Sequence, residues 1–146
     1  MKDVIKIGLL LLSLMVSTST FAENTGGTLK IALRGFKSTT GLINVALFAG
    51  ETDFRNRDRI FKGVRVRPEG DESLAVFSGL PAGEYVIAVY HDENENGKLD
   101  KNLVGIPKEA YGFSNDARGI FAPPTFSDAK VVLTNGAYLN TIVNIK

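Results

Sequence analysis

The sequence contains no cysteine and a single histidine, His91. The first absence excludes disulfides, thiol catalysis and zinc–thiolate sites, so stability has to come from packing and from any bound ion. The second excludes a metal centre built from several histidines of one chain. After residue 22 no segment keeps an apolar period of 3.6 residues over three turns, so helix is expected to be minor. Charge of one sign is also missing: 17 Lys and Arg stand against 16 Asp and Glu. A balanced chain offers no basic face for nucleic acid or for an anionic membrane. The one local exception, Arg55, Arg57, Arg59, Lys62, Arg65 and Arg67, is interleaved with Asp53 and Asp58 and reads as a solvated surface.

Long apolar runs are scarce too, and the one present lies at the start. Lys2 and Lys6 precede an apolar run from Ile7 to Val16, which gives way to a polar stretch, Ser17 to Thr20, and then Phe21 and Ala22. This is the pattern of a secretory signal peptide. As a helix the run covers about 15 Å, half of a bilayer core of about 30 Å, and is too short to span it. Thr20 and Ala22 are small residues at the spacing of a signal-peptidase site, so cleavage is expected after Ala22. The reading is therefore a leader over 1–22, a flexible lead-in over 23–27 and one domain over 28–146. Cleavage removes Lys2, Asp3 and Lys6, leaving 15 basic and 15 acidic residues. The expected product is exported, periplasmic or extracellular, with no membrane span left.

Short apolar alternations begin after the lead-in. Leu29, Ile31 and Leu33 alternate with Lys30, Ala32 and Arg34, the period of two of a half-buried strand. Leu42 to Phe48 is apolar at nearly every position, as a strand covered on both faces would be. Val64 and Val66 alternate with Arg65 and Arg67, and Ser73 to Phe77 is another β-prone run. Gly79, Leu80, Pro81, Ala82 and Gly83 form a turn, followed by Tyr85 to His91 with both faces apolar. Ala129 to Leu133 and Tyr138 to Ile145 are separated by Asn135 and Gly136, a hairpin dipeptide. Together these runs predict an all-β fold, a seven-stranded antiparallel sandwich.

Lys101 to Ser127 departs from that rhythm. It holds Gly105, Gly112, Gly119, Pro107, Pro123 and Pro124, with Tyr111, Phe113, Phe121 and Phe126 among them. Loops of this length in a compact domain are functional or disordered, and four aromatics argue for order. The expectation is one long ordered loop packed on the sandwich.

The segment from His91 to Asp100 carries the best chemical motif. Asp92, Asn94 and Asn96 fall at positions 1, 3 and 5 of an EF-hand-type loop, Gly97 takes the sharp turn at 6, Lys98 offers its carbonyl at 7, and Asp100 stands at 9. Hard oxygen ligands at alternate positions can wrap one Ca²⁺, with Glu93 and Glu95 pointing outward between them. At position 12 Leu103 replaces the bidentate glutamate, so a last ligand has to be water or a carboxylate from elsewhere. That loss places the affinity in the extracellular-module range, Kd roughly 10⁻⁴ to 10⁻³ M.

Other readings compete. His91, Glu109, Tyr111 and Asp116 would make a metal-assisted hydrolase if they converged within about 3 Å of a common point. Glu109 and Asp116 could pair as acid and base, as glycosidase carboxylates do. A carrier for a small apolar ligand would need a cavity lined by Tyr111, Phe113, Phe121 or Phe126. A lone histidine at a strand end is more often structural, and no triad spacing is present.

Three strings also carry a resemblance: His91-Asp92-Glu93-Asn94 leading to Gly97-Lys98-Leu99-Asp100, Gly105-Ile106-Pro107-Lys108-Glu109, and Tyr111-Gly112-Phe113-Ser114-Asn115. With them the chain resembles the bacterial exported proteins grouped as domain-of-unknown-function family 2141, over most of residues 28 to 146. One departure is Ala122, which stands where that family's Gly-x-Pro-x-Phe pattern has glycine. The resemblance implies an exported all-β domain and no established activity. The string Gly79 to Tyr85 is similar to the Leu-Pro-x-Gly-x-Tyr edge of prealbumin-like and collagen-adhesin B-type sandwiches. Such domains serve as stalks or binding modules, which favours a non-enzymatic role by analogy. The functional expectation is a calcium-stabilised binding or structural module of the cell envelope, its partner an envelope protein or glycan.

Overall fold

The computed structural model describes residues 26–120 and 122–146. The leader, the first part of the lead-in and Phe121 lie outside the described residues. The elements run β1 (Gly27–Arg34), β2 (Leu42–Ala49), α1 (Gly50–Arg55), β3 (Lys62–Val66), β4 (Glu72–Leu80), β5 (Gly83–Asp92) and β6 (Tyr111–Phe113). A 3-10 turn (Ser114–Asp116), α2 (Phe126–Ala129), β7 (Val131–Leu133) and β8 (Tyr138–Asn144) complete the order. The fold is mostly β, with strands in two sheets: β4-β1-β8, and β3-β2-β5-β6 with β7 also pairing β5.

Period two does in these strands what it does in any half-buried strand: it sends alternate side chains to one core. Leu29, Ile31 and Leu33 of β1, Ala75 and Phe77 of β4 and Val143 of β8 meet Ile43, Val45 and Leu47 of β2 and Tyr85, Ile87 and Val89 of β5. These two inner faces make a sandwich-like core. The expectation that β2 and β5 are covered on both sides holds. On the far side of their sheet, Phe48 and Val86 join Phe54, Phe113, Ala117 and Ala129 in a second cluster. The lid over that side is α1 and α2, two short helices.

Three expectations need correcting. The described strands number eight, because Tyr111–Phe113 pairs with β5 inside the segment expected to be one long loop. That segment also contains the 3-10 turn and the start of α2. The sheets are not wholly antiparallel, since β1 and β8 run parallel from Thr28↔Tyr138 to Arg34↔Asn144. The pair around Asn135-Gly136 is no hairpin either: β7 pairs with β5 in one sheet while β8 pairs with β1 in the other. A turn is present, with the Ala137 amide donating to Thr134 O at 3.1 Å. Of its two central residues only Gly136 has positive φ, at 67°, whereas the hairpin-forming type I′ turn needs it at both. The chain therefore changes sheets here instead of folding back along its own strand.

Candidate functional site

The C-terminal end of β5 delivers His91 and Asp92 to one edge of the sandwich. Both are buried, at 0% and 2% exposure, and are among the few polar residues that are. A buried carboxylate needs donors. Asp92 finds them in its own loop: Oδ1 accepts from the Asn96 amide at 3.0 Å and Oδ2 from the Gly97 amide at 2.8 Å. The loop can turn back this sharply because Gly97 adopts φ 76° and Glu95 φ 57°. Asn94 and Asn96 repeat the motif, their Oδ1 atoms accepting from the amides of Asn96 (3.1 Å) and Lys98 (2.8 Å). Their Nδ2 groups donate to the two oxygens of Asp100, at 2.7 and 2.9 Å. These bonds, Asn96 first and Asn94 second, hold the Asp100 carboxyl below the usual carboxylate range.

Asp92, Asn94, Asn96 and Asp100 are thus brought together as the spacing suggests. Each side-chain oxygen of Asp92, Asn94 and Asn96 uses one lone pair on an N–H and keeps another for a cation. The donor set is two carboxylates and two amides, hard oxygens that fit Ca²⁺. Among the described residues no three His, Asp or Glu side chains group as they would around a metal ion, so any cation here would have to lean on the asparagine side chains and backbone as well as the carboxylates. Glu95 is exposed, as expected of a side chain outside the ligand set. Glu93 is exposed as well but folds back, accepting from Ser38 Oγ at 3.4 Å and lying 3.6 Å from His91 Nδ1.

Glu109 is the residue whose part in this loop was not read from the sequence. Its Oε1 accepts from the Glu93 amide at 3.3 Å and its Oε2 from the Asp100 amide at 2.9 Å, clasping both ends of the loop. A small hairpin brings it there, with the Lys108 amide bonded to Asp100 O at 2.8 Å and a bridge between Lys101 and Pro107. The available signal was the need for a carboxylate to replace position 12, and Glu109 was the nearest acid after Leu103.

His91 is tied down structurally. Its Nε2 donates to the Thr40 carbonyl at 2.7 Å, its ring meets Phe36 edge-on at 6.2 Å, and Nδ1 is buried with no hydrogen-bond partner. Among the described residues no hydrogen bond joins any two of the His91, Glu109, Tyr111 and Asp116 side chains. Asp116 is held by Asn144, whose Nδ2 reaches both its oxygens at 3.0 and 2.9 Å. Phe113 is packed rather than lining a void, with Phe54 at 6.1 Å and Tyr111 at 6.2 Å. A cleft of about 280 Å³ beside the loop is lined largely by charge, including Lys37, Glu93, Lys108, Glu109 and Lys146.

The string Tyr111 to Asn115 is architectural. Gly112 sits so close to Asn144 O and Val143 of β8 that a side chain there would collide with backbone. Ser114 Oγ accepts from the Ile87 amide at 3.0 Å, and Asn115 Nδ2 donates to Asp128 O and Lys130 O at 3.1 and 2.9 Å. These bonds anchor β6 and α2 to β5.

Comparison with known proteins agrees on relationship and gives no activity. A family described as "Uncharacterized protein conserved in bacteria (DUF2141)" matches residues 31–139. No curated protein and no solved structure matches the chain.

Proposed function

The chain belongs to the DUF2141 family of uncharacterized bacterial proteins, and from that premise we propose that it is an exported sandwich module that binds one structural Ca²⁺ and acts as a binding or structural domain of the cell envelope. The observation that carries the calcium reading is the single connected set Asp92, Asn94, Asn96 and Asp100, clasped by Glu109. The ion would be held by the four loop side chains, the Lys98 carbonyl and either Glu109 or water. Its charge would replace the amide N–H groups that meet Asp100 and would fix the loop against β5.

The finer architecture is read as prealbumin-like or collagen-adhesin B-type. It is supported by the shared inner core and by the turn before β5, where Tyr85 Oη donates to Pro81 O at 2.7 Å. The module reading is supported by His91 and Asp116 each being tied into the scaffold, by Thr40 and by Asn144, apart from Glu109. Calorimetric titration with Ca²⁺ tests the proposal, with Kd expected at roughly 10⁻⁴ to 10⁻³ M. A screen of envelope proteins and glycans with and without the ion tests the partner. Absence of both binding heat and any melting shift at about 10 mM Ca²⁺ would return the loop to an ordinary polar turn.

A further inference from the structure

Strand β4 ends its sheet with an edge that the fold leaves open. Which of its residues face that edge follows from β1. At the two ends of β8, Arg34 O accepts from the Ile145 amide and the Thr28 amide donates to Ala137 O, so even-numbered residues of β1 face β8. Odd-numbered residues therefore face β4, and Leu29↔Phe77, Ile31↔Ala75 and Leu33↔Ser73 are the bonded pairs. Glu72, Leu74, Val76 and Ser78 turn their N–H and C=O groups the other way. Among the described residues β4 pairs with no second strand, and one group meets that edge: Lys62 Nζ, which donates to Ser78 O at 3.3 Å. The open stretch is thus Glu72 to Val76, with Leu74 at its centre.

Open edges are normally blunted by charge, proline or a bulge. The edge strand β3 carries Lys62 and Arg65, and β8 is closed at Asn144, whose amide donates to Asp116 Oδ1 at 3.2 Å. Beyond Glu72, β4 has neither charge nor proline, and its outward side chains Leu74 and Val76 are 48% and 50% exposed. Leu74 lies beside Ala32, and Ala32 beside the exposed Ile142, so an apolar row crosses the sheet and ends at the open edge.

The distribution of charge names the strand that fits there. Glu69, Asp71 and Glu72 lie at the start of β4, against Arg67 and against Arg34, which holds Glu72 at 2.6 Å. The far end has Lys62 on Ser78, and neither Lys62 nor Asp71 is in an ion pair among the described residues. We propose that the chain forms a twofold dimer through β4, the two three-stranded sheets joining edge to edge with Leu74 on the axis. Antiparallel pairing in that register sets Gly70 opposite the partner's Ser78 and Asp71 opposite the partner's Phe77, so each Lys62 stands beside the partner's Asp71. A parallel pairing would set Lys62 beside Lys62. The outward amides and carbonyls of Glu72, Leu74 and Val76 bond across the axis, and the apolar row runs on from Ile142 to the partner's Ile142. A net charge of +1 leaves little repulsion between copies.

The dimer does not involve the calcium loop, and its test is run in EDTA. Sedimentation of the protein as cells accumulate it, from about 1 µM to 1 mM, should show a monomer–dimer equilibrium. Leu74→Lys puts two ammonium groups at the axis and should leave monomer only, with the melting temperature of the dilute parent. Lys62→Glu should weaken association about tenfold, because the contact occurs twice, and adding Asp71→Lys should restore it. The sequence contains no cysteine, so Leu74→Cys gives one thiol per chain. A short bifunctional maleimide should join it to its copy far faster than it joins Ile142→Cys. Monomer at every concentration, as expected if the edge takes a peptide of another protein, overturns the proposal. So does a dimer that survives Leu74→Lys, a charge exchange that fails to restore association, or Ile142→Cys crosslinking as fast as Leu74→Cys.

Discussion

Gly41 lies directly against the backbone of Asp92, so close that a Cβ on Gly41 would overlap the Asp92 carbonyl oxygen. The contact sits where β2 begins, one residue before the pair Leu42↔Asp92, and Gly41 has φ 72°. Two independent reasons thus require glycine, a left-handed backbone and a missing side chain. Gly41→Ala is expected to cost about 2 kcal/mol or more in urea unfolding. Because the clash pushes on Asp92, calcium affinity should fall with stability. A Gly41→Ala protein with unchanged unfolding midpoint would show the contact to be looser than described.

Calcium should act on folding through the same residues. If the ion binds only the folded state, Ca²⁺ at about ten times Kd should stabilise by about 1.4 kcal/mol, read as a raised melting temperature. Asp92→Ala should abolish the rise, and Glu93→Ala should leave most of it. Glu109→Gln separates two roles, since the amide still accepts one backbone bond but loses the charge. It should weaken calcium binding about tenfold while costing about 1 kcal/mol in the ion's absence. A Glu109→Gln protein that binds Ca²⁺ as tightly as the parent would place water in the last coordination position.

How much of this was legible in the sequence follows from the range over which each feature is decided. Leu29, Ile31 and Leu33 alternate within one strand, so the burial of β1 is written locally. The same holds for Asp92, Asn94, Asn96 and Asp100, which share one loop. Tyr111–Phe113 is only three residues, too short to show a period, and becomes a strand through its pairing with Ala88 to Tyr90. Asn135-Gly136 signals a turn, but which sheets its flanks join depends on edges of β5 and β1 made far away in sequence. Helix α1 is six residues, under two turns, with Phe54 as its one buried side chain, so it leaves no helical period. Glu109 belongs to the site only because a hairpin carries it back.

Acid should loosen the loop in a specific window. Asn96 and Asn94 hold the Asp100 carboxyl below its usual value of 3.8. A depressed folded-state value means the ionised group stabilises the folded chain above the unfolded value, and the contribution is lost as pH falls through the folded one. Unfolding followed in EDTA should therefore show a loss of stability starting below about pH 4 that includes a part due to Asp100. Asp100→Asn should lower stability at neutral pH and flatten that part of the profile. If the variant's profile keeps the same slope between neutral pH and the acid limb, the two amides are not bonding the ionised carboxylate.

Arg57 gives the last prediction. Arg34, Arg55 and Arg59 each pair with a carboxylate, on Glu72, Glu51 and Asp53. Arg57 instead rests on aromatic faces, its guanidinium carbon 4.3 Å from the centre of Phe54, 5.6 Å from Phe113 and 5.9 Å from Phe48. Burial against the rings lowers its pKa, but a guanidinium stays charged at any working pH. The contact is therefore cation–π throughout, and it seals the second core where α1 meets β6. Arg57→Ala should cost about 1 to 2 kcal/mol, more than an exposed arginine removed from a solvated surface. Phe54→Leu alone loses packing as well as the ring, so neither single variant isolates the contact. The double-mutant cycle does: Arg57→Ala combined with Phe54→Leu should show a coupling of about 0.5 to 1 kcal/mol at low and moderate salt. A coupling of zero would mean that Arg57 covers Phe54 only with its aliphatic stem, and Arg57→Met would then restore the parent's stability.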